Sequence, residues 1–151
     1  MRLDRFASNP LKYWHDKLAP IVKDIRDMNF NAKFAWLLVC GLLGASGVAL
    51  GAVAAHAFSD PQAALAVERA STYQLLHTVA ILVLLTHEGR LMRLARATML
   101  AGILGFSGAI YAKYLLGLTA LGALAPFGGS LLILAWLIVA VSRLRPNHGP
   151  N

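Results

Sequence analysis

The sequence predicts an all-α integral membrane protein: a bundle of four transmembrane helices that follows an N-terminal amphipathic helix at the cytoplasmic interface. Hydrophobic residues make up 58% of the 151-residue chain and charged residues 14%, whereas soluble domains carry roughly 45–50% and about 25%. The charges are also uneven, since residues 34–58 contain none and residues 97–142 contain only Lys113. Apolar runs of about 18 residues or more are typical of membrane spans.

Residues 1–33 are predicted to form an amphipathic segment ahead of the spans. Apolar side chains recur there at helical spacing, at Leu11, Trp14, Leu18, Val22 and Ile25. Such a stripe predicts one apolar helix face. Because basic and acidic residues share the opposite face, two interpretations stay open: the helix lies on the bilayer surface, or it docks on a partner protein.

Four helices are predicted after this segment, over residues 34–57, 61–87, 97–116 and 121–143. The second is predicted to start at Ser59-Asp60-Pro61, because Ser or Asp can cap a helix and proline suits the first helical position. At about 1.5 Å per residue, each apolar body nearly crosses a hydrocarbon core of about 30 Å. Residues 144–151 form a tail.

Basic residues are concentrated in alternate connections. Seven Lys and Arg precede the first span, and one, Arg69, lies in the first loop region at the start of the second helix. Three lie in the second connection, none lies in the third beyond Lys113 of the third helix, and two follow the last span. Because cytoplasmic connections carry the excess of Lys and Arg, both termini and the middle loop are predicted to be cytoplasmic, in a bacterial inner (plasma) membrane or a related organellar inner membrane. This rule accounts for the net charge of +7, and no nucleic-acid partner is predicted.

The first and third spans contain a similar stretch of sequence. CGLLGASGVAL (40–50) aligns with AGILGFSGAIY (101–111), with five identical residues. This similarity predicts a helical hairpin copied once in parallel orientation. Small residues let helices approach closely in lipid, so glycines are predicted to form packing seams, either between spans one and three or between each and its hairpin mate. These glycines are Gly41, Gly44, Gly47, Gly51, Gly102, Gly105 and Gly108.

Polar residues inside or beside the spans form a candidate site. They are His56, Tyr73, Gln74, His77, Ser107 and Tyr111. The three on the second helix share one face, and polar groups within a span usually face the protein interior. The set is therefore predicted to be a buried polar cluster. It is either a ligand or proton site, or a set of interhelical hydrogen bonds, for example from His77 to Ser107 or Tyr111.

A second cluster is predicted at the outer surface, where charged residues would form interfacial ion pairs. Its members are Asp60, Glu68, Arg69 and Lys113. No metal or cofactor is predicted, because His56 and His77 differ in depth by about 10 Å and no further ligands complete a site. The single cysteine, Cys40, excludes an intramolecular disulfide. The chain has no phosphate-binding loop, nucleophile elbow or paired carboxylates, so no enzyme is predicted.

Four stretches of the chain resemble the small membrane proteins of domain of unknown function four-two-three, of which transmembrane protein two-five-six is a relative. They are GASGVALGAVAAHAF (44–58), YQLLHTVAIL (73–82), GILGFSGAIY (102–111) and APFGGSLLILAW (125–136). The resemblance covers residues 40–143. It implies a four-span inner-membrane protein without an assigned activity, with recurrent polar positions at His56, Gln74 and His77, and it implies that residues 1–33 are an addition.

Two functions stay open. The first is a non-enzymatic accessory or structural subunit of a larger inner-membrane complex, which the glycine seams, the amphipathic segment and the scarcity of reactive groups favour. The second is a small transporter or channel that uses the polar face of the second helix, favoured by the parallel repeat. Both place the protein in the lipid bilayer, with a larger membrane complex or further copies of itself as partner.

Overall fold

The structure, a computed structural model, describes residue 12, residues 14–19 and residues 30–144, with side chains over 32–142 of the last range. The chain separates into two units, residues 1–36 and 37–151. In the first unit, residues 14–19 are helical. Trp14 and Leu18 of the predicted docking stripe are about half exposed. The other three stripe residues, Leu11, Val22 and Ile25, lie outside the described residues.

Four long helices and one short one form the rest of the described chain, and no strand occurs in the described ranges. Helix α1 is Phe30–His56 and α2 is Pro61–Leu84. Helix α3 is Arg90–Leu115, and α4 is Ala125–Leu144, preceded by the 3₁₀ helix Thr119–Leu124. The prediction of an all-α chain is confirmed for these residues.

The starts of α2 and α3 have different causes. Asp60 caps α2, because its carboxylate accepts hydrogen bonds from the backbone N–H groups of Gln62 and Ala63 at 3.0 and 3.3 Å, and Pro61 occupies the first helical position. Helix α3 follows Gly89, whose φ of 122° is readily adopted only by glycine. It begins at Arg90, seven residues before the predicted 97, because arginine is itself a good helix former.

Helix α3 changes its winding in the repeated line of sequence. Arg90–Ile103 and Ala109–Leu115 are α-helical, and Leu104–Gly108 between them forms a π-helical turn. The matching line in α1 is a regular α-helix. The two copies of the repeat therefore differ in backbone conformation, and such turns are frequent at functional sites.

Three helical segments are long and apolar enough to cross a membrane, by length and composition: Ala32–His56, Arg90–Leu115 and Thr119–Ser142. Helix α2 does not meet this criterion. Its first half contains Glu68 and Arg69, and its middle contains Gln74 and His77. These polar residues lower its average hydropathy, although most of its C-terminal half is apolar.

Candidate functional site

Helix α2 carries four of the six buried polar or charged side chains of the described residues. Ser71, Gln74, His77 and Thr78 are all buried. Residues three or four apart lie on the same side of a helix, so these four form one polar face. Of this set, only Gln74 and His77 were predicted from the sequence. Ser71 lies three residues before Gln74 and Thr78 four residues after it, and this helical spacing could have identified both.

Two residues of this face bond to α1. Ser71 Oγ donates to the carbonyl oxygen of Gly47 at 2.8 Å. Gln74 Nε2 donates to the carbonyl oxygen of Leu43 at 2.6 Å and to Ser46 Oγ at 2.9 Å. Because carbonyls within a helix have a second lone pair, these bonds join the helices without breaking the α1 backbone ladder.

A further hydrogen bond joins α2 to α3 at the π turn. Ser107, which is 1% exposed, donates from Oγ to the carbonyl oxygen of Ala70 at 2.8 Å. Ser107 therefore forms an interhelical hydrogen bond, but with Ala70 and not with His77, which was the example given for this interpretation. The acceptor is a backbone group, and no side-chain pattern in the sequence marks it. Thr78 Oγ1 bonds within its own helix, to the carbonyl oxygen of Gln74 at 2.7 Å.

His77 is held by its own helix and by aromatic rings. Its Nδ1 lies 2.7 Å from the carbonyl oxygen of Tyr73. Because a carbonyl oxygen can only accept, Nδ1 is the donor of this bond. The imidazole stacks on Tyr73, with centroids 5.9 Å apart, and lies 6.2 Å from the ring of Trp136 on α4.

The remaining members of the predicted buried cluster lie elsewhere. His56 is exposed at the end of α1, and Tyr73 is 46% exposed. The prediction of burial is wrong for both. His56 lies at a helix end, and Tyr73 remains about half exposed although its ring centroid lies 5.1 Å from that of Phe106 on α3. Tyr111 is half-buried, and its hydroxyl is buried without a hydrogen-bond partner. The structure thus brings Gln74, His77 and Ser107 into the interior but places no direct bond among them.

The predicted outer ion cluster is not assembled. Asp60, Glu68 and Arg69 are exposed, and no ion pair joins them or Lys113 among the side chains that the structure describes. Asp60 acts instead as the helix cap. The Nζ of Lys113 lies 4.8 Å from the centroid of its neighbour Tyr114. This distance permits a cation–π interaction.

Four of the seven predicted seam glycines lie at close helix contacts. A Cβ on Gly47 would lie 2.8 Å from Leu75 Cδ2, and one on Gly51 would lie 2.8 Å from Ser71 Oγ, both on α2. Gly102 and Gly105 of α3 are close to α4 instead. The close approaches are therefore between hairpin mates, one of the two arrangements that the sequence left open. Gly41, Gly44 and Gly108 have open space where a Cβ would lie.

The tightest approach joins α3 and α4. A Cβ on Gly105 would lie 3.0 Å from Gly128 Cα, and a Cβ on Gly128 would overlap the backbone of Gly105 and Phe106. The backbones are thus in direct contact at the π turn. Sequence analysis missed Gly128, although it lies within the APFGGSLLILAW stretch.

Arg96 is a further residue that the sequence did not predict as part of a site. It was counted among the charges of the second connection, but it is only 6% exposed. Its Nη1 donates to the carbonyl oxygen of Leu84 at the end of α2, at 3.1 Å. Its Nε is buried without a partner. Among the described residues, no group of three or more His, Cys, Asp and Glu side chains could hold a metal ion.

Comparisons with known proteins point to one family of membrane proteins. The model of a family described as "Protein of unknown function (DUF423)" matches residues 50–129. A UPF0382 membrane protein of Haemophilus influenzae is 34% identical over 114 residues, which cover 72% of this chain and 92% of the relative. One of Staphylococcus epidermidis is 33% identical over 116 residues, with 72% and 94% covered. No solved structure matches the chain.

Proposed function

We propose, since this chain belongs to the DUF423 family of membrane proteins, that it is a non-enzymatic accessory subunit of a larger complex in the inner membrane. The outer face of α1 carries this proposal. Gly41, Ala45, Ala49 and Ala52 are all exposed. Their spacing of three or four residues places them on one side of the helix. No helix of the described chain covers this small-residue face.

A small-residue face has a specific use in a bilayer. Lipid tails are as apolar as leucine side chains, so helices associate where small residues let two backbones approach and gain van der Waals contact. Inside this chain, the close approaches at Gly47 and Gly51 already serve this purpose between α1 and α2. The outer face of α1 offers the same contact to a helix of another protein.

The interior supports a structural role over transport. Ser71, Gln74 and Ser107 each donate to a backbone carbonyl of a neighbouring helix. These bonds satisfy the polar side chains and fix how α1, α2 and α3 pack. A conduction path needs polar groups that remain available to a passing substrate, and these three are already engaged.

The proposal includes α2 as a fourth membrane crossing. Its polar residues Ser71, Gln74, His77 and Thr78 are buried, and its charged residues lie in its N-terminal half. Its exposed residues include the apolar Leu76, Val79, Leu82 and Val83. A helix whose polar groups are satisfied by protein can lie in a bilayer. With four crossings, the α2–α3 connection, the arginines at the start of α3 and both termini lie on the cytoplasmic side. There, residues 1–33 contact lipid or the partner.

Paired alanine substitutions test the proposal. Ala45→Leu enlarges the small-residue face of α1, and Ala140→Leu makes the same change at an exposed position of α4. The protein is purified in mild detergent from its own membrane, and the partner is quantified by peptide mass spectrometry.

We expect the unaltered chain to recover a partner protein in stoichiometric amount. Ala45→Leu should lower the amount of recovered partner roughly tenfold, and Ala140→Leu should leave it unchanged. Thermal unfolding of both variants checks that the chain itself is intact. Equal partner recovery from both variants would show that the α1 face is not the contact.

A further inference from the structure

Arg96 is a buried cation whose charge has no counter-ion among the described residues. It is 6% exposed, and no ion pair joins it to an acid in the described part of the chain. The bond from Nη1 to Leu84 uses one of its five N–H donors,. Burying a charge without a partner is costly, so an anion beside this guanidinium would stabilise it.

The free edge of this guanidinium has the geometry that phosphate prefers. Nη1 is hydrogen-bonded to Leu84, and Nε has no partner. The edge of the guanidinium formed by Nε and Nη2 is therefore available to a ligand. Two parallel N–H groups on one edge bind carboxylate or phosphate oxygens in bidentate fashion. Because so little of the side chain is exposed, a small outward rotation has to open this edge to an anion.

The depth of Arg96 in a membrane indicates where that anion comes from. The apolar residues 97–116 that follow it extend over about 30 Å as a helix, the thickness of a hydrocarbon core. Arg96 therefore lies at the boundary of the core. Side chains on a helix tilt toward its N-terminus, so the guanidinium reaches the level of the lipid phosphates.

Two further arginines extend the positive charge from this boundary. Arg90 and Arg93 are exposed and precede Arg96 at steps of three residues, so neighbouring members lie close on the helix surface. Neither forms an ion pair with an acid among the residues that the structure describes. On the side of the helix that carries Arg90 and Arg93, Leu94, Ala97 and Ala101 are exposed and offer an apolar strip along which an acyl chain can lie.

We propose that the N-terminal end of α3 binds one anionic phospholipid, whose phosphate is held by Arg96 and Arg93 while Arg90 adds to the local positive potential. The phosphate is the counter-ion of Arg96, and an acyl chain contacts the apolar strip. Because Arg96 also bonds to the C-terminal end of α2, the bound lipid stabilises the contact between α2 and α3. This inference does not depend on the identity of a protein partner.

The test is lipid retention in native mass spectrometry. The delipidated full chain is titrated with palmitoyl-oleoyl phosphatidylglycerol, with the matching phosphatidylcholine, and with inorganic phosphate. We expect one phosphatidylglycerol per chain, bound about tenfold more tightly than phosphatidylcholine. The same lipid should raise the unfolding temperature, and inorganic phosphate at equal concentration should not.

Three glutamine variants locate the site. Arg93→Gln should weaken phosphatidylglycerol binding roughly fivefold and Arg96→Gln roughly tenfold. The exposed Arg69→Gln on α2 is the control and should stay within about twofold of the unaltered chain. If Arg96→Gln fails to fold, Arg93→Gln and the lipid comparison on the unaltered chain decide the question.

Three results would overturn the proposal. Equal affinity for the two lipids would show that the headgroup charge is not recognised. Equal stabilisation by inorganic phosphate would show that the ligand is a free anion. Equal weakening by Arg69→Gln and Arg93→Gln would show that binding follows total charge and not this site.

Discussion

The contact between α3 and α4 at Gly128 allows a sharp test of the packing. Gly128→Ala adds one Cβ, which would lie 2.7 Å from Phe106 Cα and closer still to Phe106 N and the carbonyl carbon of Gly105. All three obstructing atoms belong to the backbone. A side-chain rotation therefore cannot relieve the overlap, and the two helices have to separate.

The size of the effect follows from the geometry. Ordinary carbon contacts lie at about 3.5–4.0 Å, so the helices must part by about 1 Å near this point. Such a gap forfeits roughly a quarter to a half of each dispersion contact along the seam, and overpacking typically costs about 1–3 kcal/mol. Alanine regains up to about 1 kcal/mol of helix propensity. We expect a net loss of about 2 kcal/mol in unfolding free energy.

The adjacent glycine supplies a matched control. A Cβ on Gly129 would lie 3.7 Å from Phe106 Cδ2, an ordinary contact, so Gly129→Ala should be neutral or stabilise by up to about 1 kcal/mol. Both variants are unfolded in detergent micelles while the fluorescence of Trp136 on α4 is followed. If Gly128→Ala and Gly129→Ala unfold alike, the close approach of α3 and α4 is refuted.

Two hydrogen-bond predictions use the same unfolding assay. Ser107→Ala should lower the free energy of unfolding by about 0.6–1.7 kcal/mol because it removes the bond to α2. Ser130→Ala loses only a bond to its own helix and should change this free energy little. Similar losses in the two variants would contradict the interhelical bond. Asp60→Ala should cost about 1 kcal/mol and speed amide exchange at Gln62 and Ala63, while Asp60→Asn keeps the cap. Equal exchange in both Asp60 variants would contradict the cap.

Composition was sufficient to predict the class of the fold. Uncharged runs indicate helices of membrane length, and Ser59-Asp60-Pro61 marks the start of α2 because capping is a local property of adjacent residues. The start of α3 was misplaced because its arginines were assigned to a connection. A helix can extend beyond the hydrocarbon core, and hydropathy alone does not mark where its backbone begins.

The site was harder to predict because its bonds end on backbone groups. Every residue has a carbonyl, so the sequence does not show that Ser107 bonds to Ala70 or that Gln74 bonds to Leu43. The π turn and the exposure of Tyr73 depend in the same way on which helices become neighbours. Arg96 is the same residue type as the exposed Arg90 and Arg93. Only the packing of α2 against α3 buries it.

Native mass spectrometry of the complex, extracted from its own membrane in mild detergent, tests the proposed accessory role most directly. The account predicts a heteromeric mass well above that of the 16.2 kDa chain, in which Ala45→Leu weakens the association. A homo-oligomer without any other protein would contradict the accessory role. That result would favour transport or ligand binding, with His77 as the first residue to substitute.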